Sequence, residues 1–261
     1  MSIITVSRDS FSHGEEIAKS VAKQLGYDCI GPDGVYKDMC EESGADPSKA
    51  DTEGAHVLTD RKAQAMFRNA FYKNMQRDNV VYYGLAGHVF LSDMPNVLKV
   101  RLVADTEDRV AEMSRRLNIT PEEARERILC GDQHCYEWDS QLMISEGGAN
   151  TFDLSVNLHT LDVERAAKLI ADAARMIMDQ PGDGLQSMLT DLALASRIEL
   201  TLLDHFADAR VEMKNGCAYI QVEASIVQEE AAARKAMRAL SNIEGIREVH
   251  VGVIPSAFVP F

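Results

Sequence analysis

The segment that follows the first apolar run of the sequence carries side chains suited to handling phosphate. It reads SRDSFSHGEE over residues 7–16 and joins a β-branched run, residues 3–6, to a helical pattern that begins near Gly14. A loop between a buried strand and a helix offers free backbone N–H groups and the positive end of the helix dipole, which together bind anions. The sequence therefore predicts an anion-binding loop here, with an ordinary strand–helix turn as the alternative.

This loop lacks most of the residues of a working phosphate-binding loop. The pattern GxxxxGK[ST] places a lysine on the outer phosphates and a hydroxyl on magnesium. Gly14 is the only glycine of the loop, no lysine follows it, and Glu15 and Glu16 occupy the first helical turn. Those carboxylates suit the helix dipole but repel a triphosphate. The residue types therefore predict weakened phosphate binding.

Composition narrows the class of protein. The 261 residues are 46% hydrophobic and 26% charged, which is ordinary for a chain that buries a core. The net charge of -14 argues against a nucleic-acid binder, although a small phosphorylated ligand needs only a local positive pocket. No run approaches the roughly 18 apolar residues of a membrane helix, and the N-terminus does not read as a signal peptide. We expect a cytoplasmic protein with no membrane or nucleic-acid partner and with reduced cysteines.

Alternating strand and helix patterns position the loop. Largely apolar runs at Val80–Tyr83 and at Val97–Val103, the second interrupted by Lys99 and Arg101, are typical of strands buried on both faces. Residues 32–58 are polar with weak periodicity. Helical patterns are expected at 14–25, 59–76, from Thr106, from Pro121 and at 163–178, with a last strand at 152–158. The order predicts an α/β fold, a largely parallel sheet covered by helices on both faces.

A second domain is predicted beyond the linker QPGDG at residues 180–184. Its hairpin is signalled by Asn215 and Gly216 between two alternating runs, because an Asn-Gly pair favours a two-residue turn. The elements are expected in the order helix, strand, strand, helix and strand, at residues 185–198, 209–213, 218–222, 228–240 and 247–254. We therefore predict two domains, 1–179 and 185–261, the second a small α+β domain.

Residues 1–178 resemble the cytidylate kinase-like family. The segments that carry the resemblance are, in order, IITVSR (3–8), GEEIA (14–18), LGY (25–27), NVVYYG (79–84), DMPNVLKV (93–100), TPEEA (120–124) and FDLSVN (152–157). The resemblance implies a three-layer P-loop kinase-like domain with a parallel sheet. It implies a nucleotide or other small anionic ligand as partner, with ATP and Mg²⁺ as cofactors if the chain is active.

The resemblance also points to candidate site residues. Arg8, which could take the place of the lysine, and Asp132, which fits the family's lid pattern, are the candidate catalytic residues. The candidates for contacting a bound nucleotide are Ser12, His13, Gly14 and Arg109. No metal ligands are assigned.

Two further groups of residues have a structural interpretation as well as a functional one. Cys130, His134 and Cys135 could be imagined as zinc ligands, but a second ligand cluster is missing, so neutral replacement of a basic lid is favoured. The helix at 59–76 carries basic side chains that the resemblance would place near an acceptor site, although a solvated face is the commoner explanation. These are Arg61, Lys62, Arg68, Lys73 and Arg77.

Departures from the family pattern remove positive charge or backbone freedom. Phe11 and His13 stand where the family has glycines, Leu85 and Cys135 where it has arginines. Phosphoryl transfer depends on positioning and positive charge, and one arginine can be worth roughly 10³ to 10⁵ in rate. We therefore expect a nucleotide-binding protein that is weak or inactive as a kinase and acts as a ligand-binding or regulatory protein. The alternative is an active ATP-dependent, cytidylate-like nucleoside monophosphate kinase.

Residues 209–253 resemble a BON-type domain. VEMKNGCAYI (211–220) and IEGIREV (243–249) carry the resemblance, with Glu244 in place of the family's usual proline. Such domains are binding or interaction modules without catalytic residues, which implies a sensing or regulatory role. Homo-oligomer formation through this domain is a further hypothesis.

Overall fold

The computed structural model describes residues 2–43, 61–146, 152–178 and 184–255. Strands and helices alternate up to residue 178, as the apolar runs predict. These elements are β1 (Ile3–Arg8), α1 (Gly14–Leu25), β2 (Asp28–Ile30), α2 (Pro32–Ser43), α3 (Arg61–Met75), β3 (Val80–Tyr83), α4 (Gly87–Phe90), β4 (Val97–Val103), α5 (Thr106–Leu117), α6 (Pro121–Glu146), β5 (Leu154–Asn157) and α7 (Val163–Met178).

The chain divides into two compact units. The first contains Met1–Val57 and Arg77–Leu185, and the second contains Leu58–Gln76 and Gln186–Phe261. Helix α3 thus belongs with the C-terminal part of the chain, although it lies far from it in sequence. The predicted domains, 1–179 and 185–261, instead place the residues of this helix in the first domain.

The first unit is built on a five-stranded parallel sheet in the order β2-β3-β1-β4-β5. Strand β1 is central, with Ile3 opposite Val80 on β3 and Val97 on β4. Because all five strands are parallel, their carboxyl ends meet at one edge, where the loop after β1 leaves the sheet. The predicted α/β fold with a parallel sheet is confirmed.

One face of this sheet is covered by α1 and α7. Ile4 and Val6 of β1 point to that face and are fully buried with Ile17, Val21 and Ile170. Burying such side chains contributes roughly 1.5–3 kcal/mol each. Side chains alternate along a strand, so Thr5 and Ser7 point to the opposite face, where both are also buried.

Helix α2 is an element that the weak periodicity of residues 32–58 did not predict. Val35, Tyr36, Met39 and Cys40 are buried on one side of it, at helical spacing. The charged residues between them weaken the helical periodicity of apolar residues in this part of the sequence. Residues 44–60, including the expected helix start at Thr59, lie outside the described residues.

Three of the five basic residues expected to border an acceptor site or a solvated face, Arg61, Lys62 and Arg68, form ion pairs within the second unit. Arg68 forms an ion pair with Glu199, and their side chains are only 15% and 11% exposed. Arg61 donates a 2.6 Å hydrogen bond to the backbone oxygen of Ala209, and Lys62 bonds to Asp204. The long side chains of α3 thus bind partners that are far away in the sequence, which the local sequence pattern does not reveal.

The remaining elements complete the second unit. They are α8 (Leu185–Leu203), β6 (Arg210–Lys214), β7 (Cys217–Ala224), α9 (Glu229–Ala239) and β8 (Glu248–Pro255). Strand β7 is central, antiparallel to β6 and parallel to β8. Asn215 and Gly216 form the two-residue turn with φ of 50° and 78°, so the predicted hairpin is confirmed.

Helices α8 and α9 supply the helical side of the second unit's core. Ile198 and Leu202 of α8 are buried with Ile220 and Val222 of β7 and Ala236 of α9. Within the described parts of the chain, no helix is both long and apolar enough to span a membrane. All five cysteines are free thiols.

Candidate functional site

The loop after β1 has the backbone shape of an anion-binding turn. Phe11 and His13 adopt left-handed backbone conformations, with φ of 58° and 55°, and His13 is the N-cap of α1. Among the described residues, no acceptor receives the backbone N–H groups of residues 10–13. Unpaired N–H groups of such a turn, next to a helix N-terminus, form a concavity that attracts anions.

Arg8 lies directly against this turn. Its side chain crosses Gly14, where an added Cβ would stand 2.2 Å from Cδ of Arg8. Gly14 is therefore required by the close approach of an arginine. No carboxylate in the described part of the chain forms an ion pair with Arg8, so its charge is available to a ligand.

The side chains of Ser12 and His13, both expected ligand contacts, form bonds within the loop and its helix. The Ser12 side chain is buried, and its hydroxyl donates a 2.6 Å hydrogen bond to the backbone oxygen of Asp9. The His13 ring lies with Nδ1 2.9 Å from a carboxylate oxygen of Glu16. Both polar groups thus stabilise the loop, which leaves backbone N–H groups and Arg8 for an anion.

Asp9 introduces a negative charge at the loop that sequence reasoning did not single out. It forms an ion pair with Arg101 of β4. Burial nevertheless raises the pKa of Asp9 above its ordinary value, because it outweighs the attraction of Arg101, and the nearby Asp132 carboxylate adds to the rise. Arg101 is thus the cation that pairs with this carboxylate and offsets part of the effect of burial.

Arg109 and Asp132, both predicted site residues, bind each other. The Arg109 guanidinium donates bidentate hydrogen bonds of 2.9 and 2.8 Å to the Asp132 carboxylate. It also reaches the backbone oxygen of Ser10 at 3.4 Å. Arg109 is 5% exposed, and a Cβ on Gly131 would stand 3.4 Å from Ser10 Oγ. The pair therefore holds helix α6 against the loop.

Phe11 is an apolar anchor for the same loop. It packs against a small cluster between α5 and α6 formed by Val110, Met113, Ala124 and Ile128. An aromatic side chain at a position where the family has glycine thus adds packing and removes backbone freedom. The outer part of the loop is fixed from two sides, by Phe11 and by Arg109.

Four further arginines, on α5 and α6, are also paired with carboxylates of the chain. Arg116 binds both Glu16 and Glu112, and the pKa of Glu112 is lowered to about 2 by hydrogen bonds from Arg115 first and then Arg116. The remaining pairs are Arg125 with Glu107 and Arg127 with Glu123. Among Arg8, Arg109 and these four arginines, only Arg8 forms no ion pair with a carboxylate of the described residues.

A buried polar pair below the loop was missed by sequence reasoning. Ser7 Oγ lies 3.0 Å from Nδ1 of His88, and the His88 ring packs on Phe152 with centroids 4.5 Å apart. Burial first, and the charges of Arg101 and Lys99 second, lower the pKa of His88 to about 4. The signal was available: Thr5 and Ser7 interrupt an otherwise apolar buried strand.

The residues of the loop do not match the magnesium–triphosphate arrangement of a P-loop. The lysine and hydroxyl positions that follow Gly14 are Glu15 and Glu16, which bind Lys19 and Arg116. The Ser12 hydroxyl is turned inward. The residues of this loop therefore do not fit a Mg²⁺–triphosphate group in the way that a P-loop does.

Possible metal ligands elsewhere are few. Cys130 Sγ lies 3.9 Å from His134 Nδ1, a pair one helical turn apart on α6. Within the described ranges, only Asp105, Asp108 and His159 bring three such ligand atoms within 4.8 Å of one another, and all three are exposed. Neither group lies among the loop contacts described above.

Comparison with known proteins agrees with this architecture. No curated protein is significantly similar to the chain. An uncharacterized protein from Eubacterium ventriosum is 17% identical, with a TM-score of 0.52 over 67% of this chain and 99% of that one. A shikimate kinase from Bacteroides thetaiotaomicron is 11% identical, with a TM-score of 0.46 over 67% and 98%. The model of the Cytidylate kinase-like family matches residues 3–160. The chain therefore belongs to the cytidylate kinase-like family.

Proposed function

We propose that the first unit binds a nucleotide or another small phosphorylated ligand at the loop between β1 and α1. In this proposal the protein is a weak or inactive phosphotransferase and works as a ligand-binding, regulatory protein. Three features support binding: the unpaired N–H groups of residues 10–13, the N-terminus of α1 and the unpaired Arg8. All three favour a negatively charged group at the loop.

One observation carries the second half of the proposal. The cations that would stabilise a transferring phosphoryl group are engaged by the chain's own carboxylates, in the pairs Arg101–Asp9, Arg109–Asp132 and Arg116–Glu16. Acceleration of phosphoryl transfer rests on such cations being free to meet developing charge. A ligand meets a site whose positive charge is largely compensated, which favours binding of a modestly charged ligand over catalysis.

An active ATP-dependent nucleoside monophosphate kinase of the cytidylate type is the second candidate. It is favoured by family membership and by Arg8, whose position across Gly14 would let it serve in place of the lysine. In this case a nucleotide would have to displace the carboxylates from at least one arginine. ATP and Mg²⁺ would then be the cofactors.

Calorimetry and turnover together separate the two candidates. The full chain is titrated with ATP, CMP and other nucleoside monophosphates, and ADP release is measured with each acceptor. The Arg8→Gln variant tests the loop, and Arg175→Gln is the matched control, since Arg175 bonds to the backbone oxygen of Gln24 at the far end of α1.

The proposal expects saturable binding that Arg8→Gln weakens and Arg175→Gln does not, with ADP release at background. Brisk ADP release that depends on Arg8 would favour the kinase. Indifference of the chain to every nucleotide would reject both.

For the second unit we propose a binding or regulatory role, based on its resemblance to BON-type modules. Its sheet leaves Tyr219 and His250 stacked on an exposed surface, with ring centroids 5.0 Å apart. Homo-oligomer formation remains part of this proposal, and light scattering of the full chain over a concentration series tests it.

A further inference from the structure

A polar groove in the second unit concentrates positive charge. It lies between the end of α3, helix α8, the hairpin turn at residues 215–216 and the turn at residues 244–247, and it encloses about 680 Å³. This volume is within the range of roughly 300–1,000 Å³ that small-molecule sites occupy. Every part of its lining belongs to the second unit, so the groove is separate from the loop after β1.

The charge of the groove departs from that of the chain. Lys73, Arg197 and Arg247 line it together with Asp191 and Glu244, so cations outnumber carboxylates in a chain whose net charge is -14. The Asp191 carboxylate is already engaged, because it accepts hydrogen bonds from the backbone N–H groups of Asn215 at 2.7 Å and Gly216 at 3.3 Å. Arg197 and Arg247, by contrast, form no ion pair with a carboxylate among the described residues.

The two arginines are held in place without being neutralised. Arg197 donates a 2.9 Å hydrogen bond to the backbone oxygen of Glu244, a neutral acceptor. Arg247 lies along the hairpin turn, where a Cβ on Gly216 would stand 2.9 Å from its Nε. Within the part of the chain that the structure describes, the Arg247 side chain has no hydrogen bond or ion pair. Both guanidinium groups thus keep donors for a ligand.

The lining of the groove also includes an apolar side chain. Leu194 lines it, with Cδ2 3.4 Å from the position of a Cβ on Gly245. A groove that combines an apolar side chain with two guanidinium groups suits an organic molecule that carries a phosphate, since the planar donors of arginine match phosphate oxygens bidentately. We propose that this groove binds a small phosphorylated organic molecule, independently of the loop after β1.

Ribose 5-phosphate is the probe that tests the proposal on the full chain. Calorimetry measures its affinity, and hydrogen exchange locates it. We expect saturable binding with slower exchange of the amides at residues 215–216 and 244–247. Arg247→Gln and Arg197→Gln should each weaken the affinity about tenfold, the effect of losing a charge-assisted hydrogen bond. Arg8→Gln should leave it unchanged.

Arg210→Gln is the matched control, because Arg210 is an exposed arginine of the same unit that lines a different surface, beside Tyr219. It should bind the probe as the wild-type chain does. Arg197→Gln also removes a structural hydrogen bond, whereas Arg247→Gln removes none, so the second variant decides if the first unfolds.

Four outcomes overturn the proposal. The first is the absence of saturable binding of ribose 5-phosphate up to about 10 mM, a concentration that would detect even a millimolar site. The second is equal affinity of Arg247→Gln and the wild-type chain for the probe, and the third is loss of binding in Arg8→Gln. The fourth is binding of citrate that is equally tight and depends on Arg247. The last would assign the groove to carboxylates and not to phosphate.

Discussion

Arg8 crosses Gly14 so closely that a Cβ on residue 14 would stand 2.2 Å from Cδ of the arginine, 3.0 Å from its Cγ and 3.1 Å from its Cβ. The contact involves the stem of the side chain and not its flexible end. Arg8 can therefore hold this position only because residue 14 has no side chain. A substitution there tests the position of Arg8 without removing its charge.

We expect Gly14→Ala to displace Arg8 and to weaken nucleotide binding about tenfold or more, the size of a lost charge-assisted hydrogen bond. The fold should persist, because alanine is favoured over glycine in a helix by about 1 kcal/mol. Calorimetry with the nucleotide that binds the wild-type chain measures the change. Gly34→Ala is the control, since its Cβ would meet only Ile30 Cγ2 at 3.6 Å. Unchanged affinity of Gly14→Ala would remove Arg8 from the proposed site.

Asp9 tests whether the chain's own carboxylates limit anion binding. Asn at residue 9 keeps the shape of the side chain but leaves Arg101 without its counter-ion. Burial already raises the pKa of Asp9, so the neutral side chain should cost little stability. We expect Asp9→Asn to tighten binding of an anionic nucleotide several-fold, by roughly 1 kcal/mol, the order of a partly exposed charge interaction.

The comparison for this variant is Asp172→Asn, which removes an exposed carboxylate paired with Arg175 on α7. Its nucleotide affinity should equal that of the wild-type chain. If Asp9→Asn binds nucleotide no better than Asp172→Asn does, compensation of the loop cations is not what limits the site.

The sheet and the hairpin were predictable because their signals are local. Val80–Tyr83 is apolar throughout, and Val97–Val103 is apolar except for Lys99 and Arg101, a pattern typical of strands in a covered parallel sheet. Asn215 and Gly216 adopt the positive φ values that the hairpin turn requires. In each case a few neighbouring residues determine the structure.

The state of the candidate site was not predictable, because it depends on pairs that are distant in sequence. Arg101 and Asp9 are 92 residues apart and Arg109 and Asp132 are 23 apart. The sequence lists the arginines near a phosphate loop but not which of them already hold a carboxylate. Helix α3 is a similar case, since its ion pair with Glu199 joins residues 131 positions apart.

The Arg109–Asp132 pair predicts a stability effect on the first unit. Asp132→Ala would leave a guanidinium that is 5% exposed without its partner. Breaking a buried pair costs about 3–5 kcal/mol, and because the Asp132 side chain is 28% exposed, we expect a smaller loss of about 2 kcal/mol in the free energy of unfolding. Chemical denaturation measures it.

A carboxylate one turn away on the same helix is the control for that substitution. Glu137 is exposed and accepts a hydrogen bond only from Gln133 among the described residues, so Glu137→Ala should change stability by less than about 0.5 kcal/mol. Equal effects of the two substitutions would show that the Arg109–Asp132 pair does not hold α6 to the loop.

His88 predicts how stability depends on pH. Its side chain is 2% exposed, and burial with the charges of Arg101 and Lys99 lowers its pKa from 6.5 to about 4. Between these two values the unfolded chain binds a proton that the folded chain does not, so the free energy of unfolding falls as pH falls from 6.5 to 4. The full difference corresponds to about 3 kcal/mol.

Denaturant titrations of the wild-type chain, His88→Asn and His88→Phe at several pH values between 7 and 4 measure this dependence. Other carboxylates and histidines titrate over the same range in all three proteins, so the difference between wild type and variant isolates His88. We expect the advantage of the wild-type chain over either variant to shrink towards acid pH. Two variants are compared so that a change in packing or hydrogen bonding is not mistaken for the loss of the titrating group. Asn can still form a hydrogen bond with Ser7, whereas Phe cannot. A difference that stays constant with pH in both variants would mean that His88 titrates alike in the folded and unfolded chain, and its burial against Ser7 and Phe152 would then not keep the imidazole neutral.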